Sequence, residues 1–420
     1  MGNVDAADLR QTVDAVWRIE AAKIVATLTR TVGDIGLAED LAQEALVDAL
    51  TQWPGTGVPR NPGAWLTTVA KRKAVDHWRR QDTLDAKYAV LARELENHVD
   101  DTWDPDRIDD DVLLLIFMSA HPTLSRENQI ALTLRVVGGL TTDEIAKAFL
   151  TPRATIAQRI VRAKKALAGV PFEVPGRSEH PQRLSSVLNV IYLIFNEGYA
   201  ASAGQRWVRG ELCSEALRLG RVLAALAPDE AEVHGLVALM EFQSSRLGAR
   251  TDADGTPILL EEQNRARWDR AQIQRGVRAL QRASDALARN QIGWGYYTLQ
   301  AALAECHAVA PTAGDTDWPR IVALYDALLA LAPSPVVELN RAIAVAMADP
   351  QTGPSRALGI LDRIEGLDGS HLLPSVRGEL LSRLGRTADA AVQFDRAAAL
   401  AANDREREVL QTKASRARGG

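Results

Sequence analysis

An all-α fold follows from three features of this 420-residue sequence. Alanine and leucine dominate, aromatic residues make up only 5%, and almost no segment alternates apolar and polar residues with the period of a strand. The chain is too long for one hydrophobic core and predicts two or three domains. Composition and breaker residues divide it into a compact helical unit over residues 1–80, a polar linker over 81–111, a second helical unit over 112–170 and an Ala/Leu-rich helical extension over 171–420.

In the first unit Val16, Ile19, Ile24 and Leu28 recur at helical spacing, Gly33-Asp34-Ile35-Gly36 turns the chain, and a second helix runs from Leu37 to Trp53. The breaker-rich stretch from Pro54 to Gly63 reads as a loop, and a third helix follows from Ala64 to Arg80. That third helix combines cations with tryptophans. Cations neutralise phosphates and aromatic faces stack on bases taken out of a duplex, so the composition suits single-stranded or melting DNA. Trp65 and Trp78 could equally anchor the core, a role slightly favoured for Trp65 beside Leu66 and Val69. His77 has no second His or Cys at ligand spacing and reads as a phosphate neighbour or a bystander. The linker ends in Asp100, Asp101, Asp104, Asp106, Asp109, Asp110 and Asp111 and reads as flexible or extended.

Residues 129–167 read as a helix–turn–helix. Ile130, Leu132, Leu134, Val136 and Val137 build a supporting helix that Gly138-Gly139 ends, and Thr141 or Thr142 caps a short helix from Asp143 to Leu150. Pro152 starts the last helix, where a missing backbone N–H costs least, and Arg153 to Leu167 continues it. Ile156, Ile160, Ala163 and Leu167 share one face of that helix, while Arg153, Arg159, Arg162, Lys164 and Lys165 spread over the rest without a single acid. Such a helix fits a major groove; a solvated basic face on an ordinary hairpin is the plainer alternative.

In the extension, Gly378, Ala390, Phe394 and Ala397 fall at the small-and-aromatic spacing of a tetratricopeptide repeat, with Leu384-Gly385-Arg386 as its turn. The match is imperfect, since Arg377, Leu381 and Ala402 stand where that repeat usually has Leu, an aromatic residue and Pro. Val337 to Ile364 resembles a second copy. Leu212 to Leu226 with Val233 to Leu247, and Gln272 to Leu287 with Trp294 to Val309, are expected as earlier hairpins, and a plain helical bundle is the alternative for this half. The polar segment Arg250 to Asp269, with Trp268 inside it, reads as a turn followed by a capped helix or as one wall of a ligand or partner groove.

The formal net charge of -5 does not exclude a nucleic-acid binder, because basic residues cluster at Lys71–Arg80 and Arg153–Lys165 and screening makes the local field decide. Two distant cysteines, Cys213 and Cys306, argue for a reducing compartment and against a disulfide framework or a zinc site. No apolar run is long enough to span a bilayer and no signal-peptide pattern opens the chain, so a cytoplasmic location without membrane contact is expected. No catalytic triad, metalloprotease, Walker or dinucleotide pattern occurs, and neither an enzyme activity nor a cofactor or metal is expected.

Three stretches in order carry a resemblance: Asp40-Leu41-Ala42-Gln43-Glu44-Ala45-Leu46, then Pro62-Gly63-Ala64-Trp65-Leu66 leading into Val69 to Arg80, then the helix–turn–helix. Together they resemble the two-domain layout of the extracytoplasmic-function (group 4) sigma factors of bacterial RNA polymerase, over about residues 10–169. Any one of the three would be weak; their order and separation make the resemblance specific. The extension, with Asn189 to Tyr199, resembles that of the subgroup with a C-terminal tetratricopeptide-like domain.

The resemblance implies partners and site residues. RNA polymerase core, through its β and β′ subunits, and promoter DNA would be the partners, with a further protein partner or regulator possible for the extension. Asp40, Gln43 and Glu44 would dock on the clamp helices of the largest subunit, where an acidic face meets a basic one. Trp65, Lys71, Arg72, Lys73, Asp76, Trp78, Arg79 and Arg80 would bind and open the minus-ten element, with a flipped base held by the loop before them. Most members carry Asn where Arg72 stands. Arg153, Thr155, Gln158, Arg159, Arg162 and Lys165 would face the minus-thirty-five element. The linker would thread near the polymerase active site and RNA-exit path, its aspartates either mimicking nucleic-acid charge or serving as a solvated spacer. The implied function is promoter-specific initiation regulated by the extension. The alternative is a polymerase-independent helix–turn–helix repressor or adaptor with a peptide-binding repeat half.

Overall fold

The computed structural model describes residues 6–80, 105–149, 151–172, 180–199, 210–252, 258, 260–401 and 404–419. The chain forms two compact units, one ending at Leu226 and one beginning at Ala227. Among the described residues the secondary structure is helical, with no strand longer than a single bridge at Thr251.

The first unit begins with α1 (Ala6–Val32), α2 (Ile35–Thr56) and α3 (Pro62–Arg80), packed on one another. Asp34 caps α2 by accepting a hydrogen bond from the Leu37 N–H at 2.8 Å. Helix α2 runs past its expected end, carrying Pro54 within its last turn, and stops where the Gly57 N–H reaches the Trp53 carbonyl. Trp17, Ile24, Leu28, Leu41, Trp53 and Leu66 fill the core. Next come α4 (Pro105–Ser119), α5 (Arg126–Val136), α6 (Thr142–Ala148) and α7 (Arg153–Leu167). Helix α4 takes in residues 105–111, the end of the segment read as a linker. Asp111 is buried there and accepts from Arg30 Nη1 at 2.7 Å, an ion pair that needs a helix to place it. The rest of that linker lies outside the described residues.

Thr141 caps α6 in a full capping box: the Glu144 N–H donates to Thr141 Oγ1 at 3.2 Å and the Thr141 N–H donates to Glu144 Oε2 at 2.8 Å. Pro152 stands at the N-cap of α7, one residue ahead of the helix proper. Between α5 and α6, Gly139 has φ +69°, and a Cβ built there lies 3.3 Å from the Ala21 Cβ on α1. Gly139→Ala should therefore lower the unfolding free energy by about 1–2 kcal/mol, read as a lower melting temperature with unchanged helix content.

The first two helices of the extension, α8 (His180–Tyr199) and α9 (Gly210–Leu226), belong to this first unit. They pack on each other and on α4 and α5, where Arg183 Nη2 donates to the Phe117 carbonyl at 3.2 Å and Arg218 Nη2 to the Val137 carbonyl at 3.1 Å. The partner of α9 is thus α8, in place of the expected hairpin with residues 233–247.

The second unit comprises α10 (Ala231–Ser244), α11 (Arg270–Asn290), α12 (Tyr296–Ala308), α13 (Trp318–Leu331), α14 (Pro335–Ala348), α15 (Gly353–Leu361), α16 (Leu372–Arg383), α17 (Thr387–Leu400) and α18 (Asp404–Gly419). Successive helices pack on one another, and α10 also contacts α12. The α16–α17 hairpin has the expected internal fit. Gly378 lies where any Cβ would come within 2.7 Å of the Phe394 ring, and Ala390, Phe394 and Ala397 are buried. Helices α14 and α15 share a core of Leu339, Ala342, Val345, Ala357, Ile360 and Leu361.

In the polar segment 250–269, the described stretch 260–269 folds inward. Arg265, 8% exposed, donates to the carbonyls of His307 at 2.7 Å and Ala310 at 2.8 Å and lies 4.8 Å from the Trp268 ring centre. Asp269 then caps α11 by accepting from the Gln272 N–H at 3.0 Å. Burial, and then the charges of Arg246 and Arg265, push the His307 pKa down to about 4 from an ordinary 6.5. The unfolded chain binds that proton more readily, so stability should be full above about pH 6.5 and fall as the pH drops toward 4. Thermal melts across that range should show the slope, and His307→Asn should flatten it.

Candidate nucleic-acid interface

Helix α7 turns Ile156, Ile160, Ala163 and Leu167 into the core, each at most 6% exposed. At about 100° per residue, Thr155, Gln158, Arg159, Arg162 and Lys165 fall within an arc of about 120° on the other side. Gln158, Arg162 and Lys165 are exposed, and Thr155 and Arg159 are half-buried. Arg153 lies off this arc and pairs with Asp143 of α6 at 2.9 Å. Both of those side chains are more than two-thirds exposed, so the pair adds little stability.

On α3, Arg72, Asp76 and Arg79 form an exposed stripe at i, i+4 and i+7. Lys71 is half-buried, and the Arg80 side chain lies outside the described residues. Lys73 turns toward α2 and pairs with Asp48 at 3.0 Å and Glu44 at 3.5 Å. Burial works against its charge, but the hydrogen bonds and charges of Asp48 and Glu44 outweigh that and raise its pKa above the ordinary lysine value. Trp65 is half-buried and meets the buried Trp53 ring edge-on, with centroids 5.4 Å apart. Trp78 is 7% exposed, and its ring serves the core of the first unit.

Asp40, Gln43 and Glu44 share one flank of α2, with the two acids exposed and Gln43 half-buried. One residue back, Glu39 is 3% exposed. Its Oε1 accepts from Arg135 Nε of α5 at 2.8 Å, and its Oε2 accepts from Lys164 Nζ of α7 at 2.5 Å. Lys164 also reaches Asp40 at 2.9 Å, and Arg18 of α1 pairs with Glu144 of α6 at 2.6 Å. The helix–turn–helix is thus held against α1 and α2 by ion pairs centred on a buried carboxylate. Burial disfavours the Lys164 charge, but Glu39 and Asp40 more than compensate and its pKa is raised.

Two family matches coincide with these two surfaces. Residues 18–83 match Sigma-70 region 2, and residues 114–167 match Sigma-70, region 4. Over 157 residues the chain is 29% identical to a protein named as the probable ECF RNA polymerase sigma factor SigI in two strains of Mycobacterium tuberculosis, covering 36% of this chain and 53% of that protein. The chain carries the region 2 and region 4 domains of a sigma factor and is similar to the extracytoplasmic-function members. An uncharacterized protein of Rhizobium meliloti (strain 1021) is 43% identical to this sigma factor over 394 residues, 91% of the chain and 90% of the relative. Residues 183–284 of the sigma factor match a family of unknown function, DUF6596. No solved structure matches.

In this sigma factor the region 2 match takes in α3 and the acidic flank of α2, and the region 4 match takes in α7. Its recognition of DNA and its part in initiation follow from those two domains. The sequence reading missed the set of Glu39, Arg135 and Lys164. One signal was available: Glu39 interrupts the buried stripe Ile35, Ala38, Ala42, Ala45 and Ala49, and an acid on such a stripe needs buried partners. What could not be read was which residues supply them. Among the described residues no group of three or more His, Cys, Asp or Glu is placed to hold a metal, and no helix is long and apolar enough to cross a membrane.

Proposed function

We propose that this sigma factor docks on RNA polymerase core through Asp40, Gln43 and Glu44, reads the minus-thirty-five element with the outward arc of α7, and engages the minus-ten element with the Arg72–Arg79 stripe of α3. The observation that carries the reading is the placement of those two basic surfaces on two different helices, α3 and α7, each outward-facing. Trp65, half-buried at the start of α3, is the tryptophan better placed to meet an unstacked base. Work at the promoter places the protein in the cytoplasm.

The described arrangement is a resting form in this reading. Helix α7 touches α2, and α2 packs on α3, so both DNA surfaces belong to one packed body in this arrangement. Elements centred about 25 base pairs apart span about 85 Å of duplex. Lys164 also occupies Asp40, so docking on polymerase and release of the helix–turn–helix are coupled.

Regulation by the extension completes the proposal. It is supported by α8 and α9 gripping α4 and α5 through Arg183 and Arg218. The purified protein should comigrate with core polymerase and support run-off transcription from a cognate promoter. Failure to comigrate would leave the polymerase-independent repressor as the better account. Deleting residues after Leu226, which keeps the first unit whole, should change the amount of that transcript; an unchanged amount removes the regulatory role.

A further inference from the structure

A cleft of about 730 Å³ opens in the second unit among α10, α12, α13, α14 and the inward-folded segment before α11. That volume falls in the range of small-molecule sites, about 300–1,000 Å³. Its polar lining includes Arg246, Trp268, Gln300, His307, Tyr325 and Asn340, set among aliphatic side chains, and among the described residues no acid lines it.

Two hydrogen-bond donors in these walls are left over. Trp268 is 3% exposed, and neither its indole Nε1 nor the buried Nε2 of Gln300 has a hydrogen-bond partner. Buried donors without acceptors are costly and few in native folds, so a pair of them beside one cleft calls for an acceptor. The local field has the matching sign. Arg246 stands in the wall and Arg265 behind it, and with burial they keep His307 neutral at neutral pH. An anion gains on entering such a site and a cation loses, while the aliphatic walls take an apolar body. The end of segment 250–269 leads into a helix capped by Asp269, and Arg265 ties it down so that Leu260 and Trp268 form one side of the cleft.

We propose that this cleft binds a small organic carboxylate, its anionic end met by Arg246 and the unpaired donors of Trp268 and Gln300 and its apolar or aromatic body held between α10, α12 and α14. The site is independent of the promoter-binding surfaces and stands or falls apart from them.

Calorimetric titration of the full-length protein with octanoate, 3-phenylpropionate and 4-phenylbutyrate tests it, each acid beside its primary amide. At least one acid should bind with Kd of about 1–100 μM, and its amide at least tenfold more weakly. Arg246→Gln and Gln300→Leu should each weaken the acid about tenfold, and Ala304→Trp, which fills the cleft, should abolish binding with the far-UV circular dichroism unchanged. If Ala304→Trp does not fold, the first two variants and the amide comparison decide. No binding by any of the acids, equal binding of acid and amide, or full binding by the filled variant overturns the proposal. A peptide ending in the same acid that binds a hundredfold more tightly overturns the small-molecule assignment in favour of a protein partner.

Discussion

Replacing Glu39 with alanine is expected to cost the first unit about 3–5 kcal/mol, because it leaves two largely buried cations without their shared carboxylate. The side chains of Glu39, Arg135 and Lys164 are 4%, 15% and 16% exposed, so water cannot take over the lost hydrogen bonds. The fall should be read from urea or thermal unfolding of the full chain. An unchanged melting profile would mean that the helix–turn–helix is not held on α2 in solution. Lys164→Met makes the complementary variant. It leaves the Glu39–Arg135 bond in place and frees Asp40, so its stability should fall less and its affinity for core polymerase should rise. The pH dependence has a definite sign. With its pKa raised above 10.5, Lys164 contributes fully below that value and loses its contribution only as the pH climbs through the raised one. Glu144 behaves oppositely. Burial raises its pKa, but hydrogen bonds from Thr141 and the charge of Arg18 bring it below 4.5, so its contribution is present above 4.5 and lost as the pH falls through the lowered value. The Arg18–Glu144 contribution should therefore hold across the neutral range and be lost on the acid side, and that of Lys164 on the alkaline side.

The local rules read most of this fold correctly, and the long-range pairings escaped them. The apolar face of α7, the Thr141 cap and the Gly378–Phe394 fit of α16 and α17 are each set by residues three or four apart or by one hairpin, so spacing alone finds them. Helix α9 pairs with α8 because both present apolar faces, and nothing within either helix names that partner over residues 233–247. Glu39 meets Arg135 and Lys164 across 96 and 125 residues, a distance over which sequence carries no register. Trp78 shows a different limit: a basic helix with aromatics suits DNA and core alike, and its 7% exposure assigns the ring to the core. The cleft of the second unit was legible only as an odd polar stretch around Trp268, because its other walls come from helices spread from Leu239 to Asn340.

Combining Arg159→Gln with Arg162→Glu is expected to lower promoter affinity at least 100-fold while leaving the fold intact. Arg162 is exposed near the middle of the α7 arc, and Arg159 is half-buried beside it. A base or phosphate contact of an arginine is worth about 1–3 kcal/mol, so losing two and adding one repulsion reaches the stated factor. Glutamine is chosen at Arg159 because that guanidinium lies near Glu127. Backbone and Ser125 hydrogen bonds lower the Glu127 pKa first, and Arg159 adds to them, so a second acid there would disturb the cap of α5. Arg153→Gln is the internal control: it lies off the arc and is already paired with Asp143, and its loss should cost far less. Binding measured against salt gives a second, independent reading, since each lost phosphate contact should reduce the slope of log K against log salt by about one. A double variant that binds and initiates like the parent would remove α7 from the DNA interface, and the major-groove reading of its basic face with it.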